Sequence, residues 1–468
     1  MSTPRFTVPR IDLLERDVHL RMPFRFGVVT LTDAPQAFVQ ARIRLEDGRE
    51  AEGAAAELLA PKWFDKNPAL TNEDNFEQLR TALRLARAAY LAGGAATAFG
   101  HFRAHYAAQI VAAAQVGLNS LVACYGPALI DRALLDALCR ALGVSFYDAI
   151  RRNAAGIELE SCDAGAFLGK LVPAQTIAAR HTVGLLDPIS AVDVTRRIDD
   201  GLPQTLEEVV ARYGQRYYKL KVGGDTAADL ERLAAIAAVL DRIDGPYCAS
   251  LDGNEQYDDV EGITELWRRL KSDPRLARLA ASVIFVEQPI KRQNALARDI
   301  GPLAAEKPVI IDESDDSLEA FPRARALGYT GVSSKTCKGL YKSIINRARC
   351  EIWNREAGSE RYFMSAEDLT IQAGLALQQD LALVNILGIT HVERNGHHYV
   401  NGMAGLPEDE QAAFLGAHPD LYERSHGAVR VAIRGGTMAI GSLACRGFAS
   451  AALPDWNQMR EMPCLTAS

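Results

Sequence analysis

From Phe24 to Glu57 hydrophobic and polar positions alternate through FRFGVVTLT and FVQARIRLEDGREAEGAAAE, and the alternation breaks at Asp47-Gly48. A period of two around an Asp-Gly pair predicts antiparallel strands joined by a tight turn. Residues 74 to 152 follow a different rhythm. In NFEQLRTALRLARAAYLA, FRAHYAAQIVAAAQ and PALIDRALLDALCRALG the apolar positions recur every three or four residues, which predicts amphipathic helices, the last stopped by Gly143. Together these blocks predict an α+β domain over residues 1–157.

From about residue 177 short apolar runs are each followed by an amphipathic stretch: YYKLKV then DLERLAAIAAVLDRI, YCASLD then VEGITELWRRL, VIFVEQP, PVIIDE then LEAFPRARAL, TGVSSK then GLYKSIINRARC, and RYFMSA then LTIQAGLALQQDLALVNIL. Such alternation means parallel strands with crossover helices, and six or more units close into a (β/α) barrel, assigned to residues 158–394. Polar residues end nearly every strand, and the C-terminal end of a barrel is where catalysis takes place. Beyond residue 395 the period fades. Residues 395–468 are therefore expected only as a C-terminal extension that completes the cap or forms an interface.

Composition narrows the classes of function without changing this outline. A chain of 468 residues, 48% hydrophobic and 24% charged, suits a globular protein of two or three units and not a disordered one. No run approaches the roughly 20 apolar residues that cross a bilayer, and the start MSTPRFTVPRIDLLERD is charged where a signal peptide is apolar, so a cytoplasmic protein is expected. A net charge of -7 argues against nucleic acid and anionic membrane as partners and leaves a small molecule. The eight cysteines form no CxxC pair, which points to reduced thiols and neither a zinc ribbon nor a disulfide framework.

The chemistry concentrates at the strand ends. Lys219 and Lys221 are two apart and share one face of their strand, with Tyr218, Leu220 and Val222 on the other. Two desolvated, mutually repelling ammonium groups are expected to have lowered pKa values, so that one can act as a base. Three following strands end in Asp252, Glu287 and Asp312, separated by 35 and 25 residues, about one strand-helix unit each. Three converging carboxylates need a cation, and hard oxygen ligands suit Mg2+, with Mn2+ as a substitute. The next strand ends at Lys335, with Lys338-Gly339 beyond, across the mouth from Lys221. A carboxylate substrate held there has its α-proton acidified, and bases on two faces allow removal from one side and return on the other.

This ordered set resembles the enolase superfamily, in particular the muconate-lactonizing-enzyme branch of the mandelate racemase/muconate lactonizing enzyme family, which includes dipeptide epimerases and succinylbenzoate synthases. The resemblance runs from about Phe24 to residue 394 and rests on PFRFG, LEDGREAEGAAAE, ALLDALCRALGVSFYDAI, KLK, LDGN, VEQP, IDES and KTCKG. It implies an α/β fold, a modified (β/α)7β TIM barrel with an N-terminal capping domain, and a homo-oligomer. It further implies that Lys221 and Lys335 are the acid/base pair with Lys219 as electrostatic helper, and that Asp252, Glu287 and Asp312 bind Mg2+. Phe24, Arg25, Phe26, Asn254, Lys338, Glu367 and Glu393 are the implied substrate-reading positions, the first three on loops that close over the barrel with the segment near Lys62-Trp63.

The chain departs from the family where specificity is read. Leu340 replaces the second glycine after KxxKG, the seventh strand ends in Ser365-Ala366-Glu367-Asp368, and the eighth ends in HVERNGHHY where dipeptide epimerases carry a DxD pair. Glu393 is expected to face a cationic group, which favours racemisation or epimerisation of an amino-acid or related carboxylate. The alternatives are a lyase or cycloisomerase on the same intermediate, a Schiff-base aldolase using one of the lysines, and a non-catalytic metabolite-binding barrel. His101 and His105, spaced as zinc ligands can be, lack the glutamate of a metalloprotease; His397 and His398 follow the last strand; VGGD after Lys221 reads as a plain turn without a nucleotide-binding glycine motif.

Overall fold

The computed structural model describes residues 3–26, 29–160, 162–369 and 371–463. A long antiparallel ladder opens the chain, β1 (Phe6–Phe26) pairing with β2 (Val29–Leu45) and β2 with β3 (Glu50–Leu58). The register shifts between Thr7 and Arg10, where Pro9 has no N–H to give to the ladder. Three helices follow, α1 (Asn72–Ala92), α2 (Ala98–Gln115) and α3 (Ser120–Leu142), and the side chains of Thr71, Thr97 and Asn119 cap their first turns. Helix α3 lies so close to β3 that a Cβ at Gly53 would stand 2.2 Å from the Ala137 nitrogen. It ends at Gly143, whose φ of 69° is the left-handed cap a glycine adopts without strain.

Eight parallel strands then form the second body: β4 (Thr176–Val183), β5 (Tyr217–Lys221), β6 (Cys248–Asp252), β7 (Val283–Glu287), β8 (Val309–Ile311), β9 (Gly331–Ser334), β10 (Phe363–Ala366) and β11 (His391–Arg394). Sequential strands are neighbours from β4 to β10, and β11 returns to pair with β4 in parallel. Strands β10 and β11 close the circle by contact, without a ladder among the described residues. Each of the first seven strands leads to a helix before the next, the (β/α)7β arrangement. Outward residues such as Tyr218, Leu220, Val222, Leu251 and Val286 pack against the barrel helices in one apolar cluster.

The C-terminal residues tie the two bodies together. A hairpin forms from β12 (Tyr422–Ser425) and β13 (Ala428–Val431); β14 (Thr437–Ala439) adds antiparallel to β4 of the barrel, and β15 (Arg460–Glu461) adds to β1. Phe448 stacks on Phe146 with ring centroids 3.9 Å apart. The larger apolar cluster is continuous through the cap, the β10–β11 side of the barrel and this tail. No helix among the described residues is long and apolar enough to cross a membrane, and the seven described cysteines are all free.

Candidate active site at the barrel mouth

The period-two geometry of β5 turns Lys219 and Lys221 into the barrel, where both are buried. The Lys219 ammonium stands 2.9 Å from Asp252, 2.8 Å from Glu287, 2.7 Å from Glu367 and 3.0 Å from Glu393. Lys221 donates to Asp252 Oδ2 and to Asn254 Oδ1, each at 2.5 Å. Opposite, Lys335 donates to Asp312 Oδ2 at 2.5 Å, and Lys338 lies 3.2 Å from Asp312 Oδ1. All six residues assigned to catalysis and metal binding therefore meet at one end of the barrel.

The turns after β6 and β7 hold these groups in place. Asn254, Glu255 and Gln288 have φ of 40°, 67° and 31°, left-handed backbone in non-glycine residues at the strand ends. The Gln288 side chain accepts from the Asp312 and Ser314 nitrogens at 2.9 and 3.0 Å, fixing the turn that presents Asp312.

The electrostatics reverse one expectation. Burial opposes the Lys219 charge, but its four acidic neighbours raise its pKa well above the ordinary lysine value. Lys335 is raised as well, burial being overcome chiefly by Asp312. For Lys219 the expected lowering fails because its ammonium lies among four carboxylates. Asp252 and Asp312 are lowered despite burial by their lysines, whereas burial followed by Asp252 and Glu367 raises Glu287 well above the usual carboxylate range.

Among the described residues no three acidic, histidine or cysteine side chains stand where they could grip one metal ion, because ammonium groups take those positions. The donor chemistry nevertheless fits a hard divalent cation: three carboxylates on adjacent strands, with Glu287 fully buried and paired only with Lys219 among the described residues.

Above this floor is a small cavity lined by Phe24, Leu31, Ala60, Trp63, Lys219, Lys221, Asn254, Asp312, Lys335, Asp368, Leu369 and Glu393. The Trp63 ring covers the Lys335 ammonium at 4.8 Å. Its loop is pinned to the barrel by Arg292, which donates to the Trp63 and Phe64 carbonyls at 2.7 and 2.8 Å, and by Lys66, 2.6 Å from Glu255.

The substrate-reading positions separate. Phe24, Asn254 and Glu393 line the cavity. Glu367 is buried beneath it between Lys219 and Arg180, and Lys338 is buried against Asp312 and Asp315. Arg25 is half-buried on β1 and does not line the cavity, and the side chain of Phe26 lies outside the described residues. Glu393 lines the cavity but is also paired with Lys219, and its oxygens accept from Thr182 at 2.5 Å, Asn395 at 2.9 Å and the Asp368 nitrogen at 2.8 Å.

Two contributors escape the sequence pattern, Arg180 and Thr182 on β4; Asp368, noted at the end of the seventh strand, lies on the loop after β10, and burial raises its pKa to about 6. Of the discounted signals, His101 binds the Phe6 carbonyl inside the cap at 3.0 Å, and the half-buried His397 and buried His398 pack against His181 away from the cavity lining. The Gly223 and Gly224 nitrogens are filled by the chain's own Asp229 at 2.7 and 3.0 Å.

The fold is similar to that of solved structures of mandelate racemase/muconate lactonizing enzymes. The L-Ala-D/L-Glu epimerase of Bacillus subtilis superposes with a TM-score of 0.57 at 16% identity, over 96% of this chain and 100% of that one. A dipeptide epimerase of Cytophaga hutchinsonii, solved with Mg and the dipeptide D-Ala-L-Val, gives 0.59 at 13% identity over 97% and 99%. The 2-chloromuconate cycloisomerase of Rhodococcus opacus 1CP gives 0.58 at 15% identity over 97% and 98%. No protein-family model and no curated protein sequence matches the chain. At these identities the likeness is one of fold.

Proposed function

We propose that this protein is an enolase-superfamily enzyme that removes the proton α to a substrate carboxylate and returns it, as a racemase or epimerase, with Mg2+ or Mn2+ held by Asp252, Glu287 and Asp312. The observation that carries the reading is the placement of Lys221 and Lys335. They extend from β5 and just beyond β9, four places apart in an eight-strand circle, and both line one cavity. A planar enolate between them can lose a proton to one face and gain one from the other.

When bound, the cation supplies the positive charge that acidifies the α-proton and stabilises the enolate oxygens. Lys221 and Lys335, each held by a carboxylate of that set, would be the groups that take and return the α-proton at their Nζ atoms. Lys219 stays charged among Glu367 and Glu393 and stabilises the developing negative charge from below. Trp63 and Phe24 keep water from the reacting carbon.

A second reading, a lyase or cycloisomerase through the same enolate, is supported by Lys335. Held by Asp312 and covered by the Trp63 ring, it suits an ammonium that stabilises charge without moving a proton. Incubation with Mg2+ in D2O and a panel of α-substituted carboxylates separates these outcomes. The proposal expects solvent deuterium at the α-carbon of recovered substrate and of its mirror image. Product formed by elimination or ring closure, with no labelled stereoisomer, favours the second reading; absence of any α-exchange counts against both.

A further inference from the structure

Only part of the cavity wall is polar, and its polar groups are already engaged. Above the lysine floor the described lining is Phe24, Leu31, Ala60, Trp63 and Leu369. Phe24 and Leu31 face each other across the β1–β2 ladder, and Trp63 descends from the segment after β3. No arginine lines the cavity among the described residues. Of its two acids beyond Asp312, Glu393 accepts four hydrogen bonds, from Thr182, Asn395, Lys219 and the Asp368 nitrogen. Asp368 accepts from the Ile371 and Asn395 nitrogens at 2.7 and 2.6 Å. Asn254 is committed too, its oxygen to Lys221 and its amide to Glu313 at 3.2 Å.

A substrate carboxylate can be met by the lysine floor, but among the described residues nothing in the upper wall is left to answer a second charge or a chain of hydroxyls. A polar group placed there gives up water without regaining a partner.

Building on the α-proton chemistry above, we infer that the substrate is a small monocarboxylate whose α-carbon bears an apolar alkyl or aryl group, and not an amino acid, a dipeptide, a dicarboxylate or a sugar acid. This replaces the amino-acid preference drawn from Glu393, whose charge is spent on Lys219.

The test is calorimetric binding to the wild-type protein, in Mg2+ and in chelator, of 2-phenylpropanoate, phenylglycine, phenylsuccinate and gluconate. Phenylglycine exchanges the methyl of 2-phenylpropanoate for an ammonium at nearly constant shape. The inference expects 2-phenylpropanoate to bind at least about tenfold more tightly than each of the other three, the discrimination a desolvated apolar wall affords. Trp63→Ala and the more conservative Leu369→Asn should each remove about tenfold of that affinity. Equal or tighter binding of phenylglycine, phenylsuccinate or gluconate overturns the substrate class, as does failure of 2-phenylpropanoate to bind. Tight, selective binding of 2-phenylpropanoate without α-deuterium exchange leaves the class standing and counts against the proton-transfer reading instead.

Discussion

Replacing Lys219 with methionine keeps the aliphatic reach of the side chain and removes one buried charge that four carboxylates share. The cost is not four times that of one ion pair. Asp252 keeps Lys221, Glu367 keeps Arg180, and Glu393 keeps Thr182, Asn395 and the Asp368 nitrogen. Glu287 and Glu393 both lose their ion pair, but Glu393 keeps three neutral donors, whereas the fully buried Glu287 keeps none among the described residues. Leaving one buried charge unpaired costs about 3–5 kcal/mol, a large share of the roughly 5–15 kcal/mol that holds a folded domain. Denaturant unfolding of wild type and Lys219→Met, followed by circular dichroism in chelator, should show a loss of that size. Added MgCl2 should restore more stability to the variant than it adds to wild type, since the acids left behind are hard oxygen donors. Unchanged unfolding of the variant in chelator would refute the reasoning, because Glu287 would then not depend on Lys219.

Three further outcomes follow from the same geometry. Asp252→Asn, Glu287→Gln and Asp312→Asn should each weaken Mg2+ binding in a calorimetric titration, as each removes one anionic ligand; undiminished affinity in all three would remove the metal assignment. Glu393→Gln should leave the ratio of phenylglycine to 2-phenylpropanoate affinity unchanged, because its carboxylate already serves Lys219; a shift of that ratio against phenylglycine would return Glu393 to substrate reading. Glu57, buried at the cap–barrel junction between Arg132 and Thr336, has its pKa raised from 4.5 to about 7, burial outweighing Arg132. A group with a raised folded pKa contributes fully below its unfolded value and loses that contribution as pH climbs toward 7. Wild type should therefore lose about 2–3 kcal/mol relative to Glu57→Gln between pH 5 and pH 8, and a pH-independent difference would contradict it.

The barrel and its chemistry were legible because they rest on local rules. Strand alternation put Lys219 and Lys221 on one face, and spacings of one strand-helix unit put Asp252, Glu287 and Asp312 on neighbouring strands. Strand β1 was hidden because its outward positions, such as Arg10, Asp12 and Asp17, are charged and Pro9 breaks its register. Strand β4, with Arg180, His181 and Thr182 in its middle, lacks the apolar run of its neighbours, so the partners of Glu367 and Glu393 went unseen. The lysine pKa shifts could not be read from spacing at all. They depend on Glu367 and Glu393 arriving from the far side of the circle, a property of closure and not of any one segment. The tail has no period because its strands β14 and β15 each add to a sheet built elsewhere.

The central claim is that Lys221 and Lys335 each serve one face of the reacting carbon. The direct measurement follows α-deuterium incorporation by NMR in Mg2+ and D2O, starting from each pure stereoisomer of a carboxylate that the wild type exchanges. Lys221→Ala should still label one stereoisomer and fail on its mirror image, and Lys335→Ala should show the opposite selectivity. Loss of exchange from both stereoisomers in both variants, or full exchange from both, would contradict a two-base site.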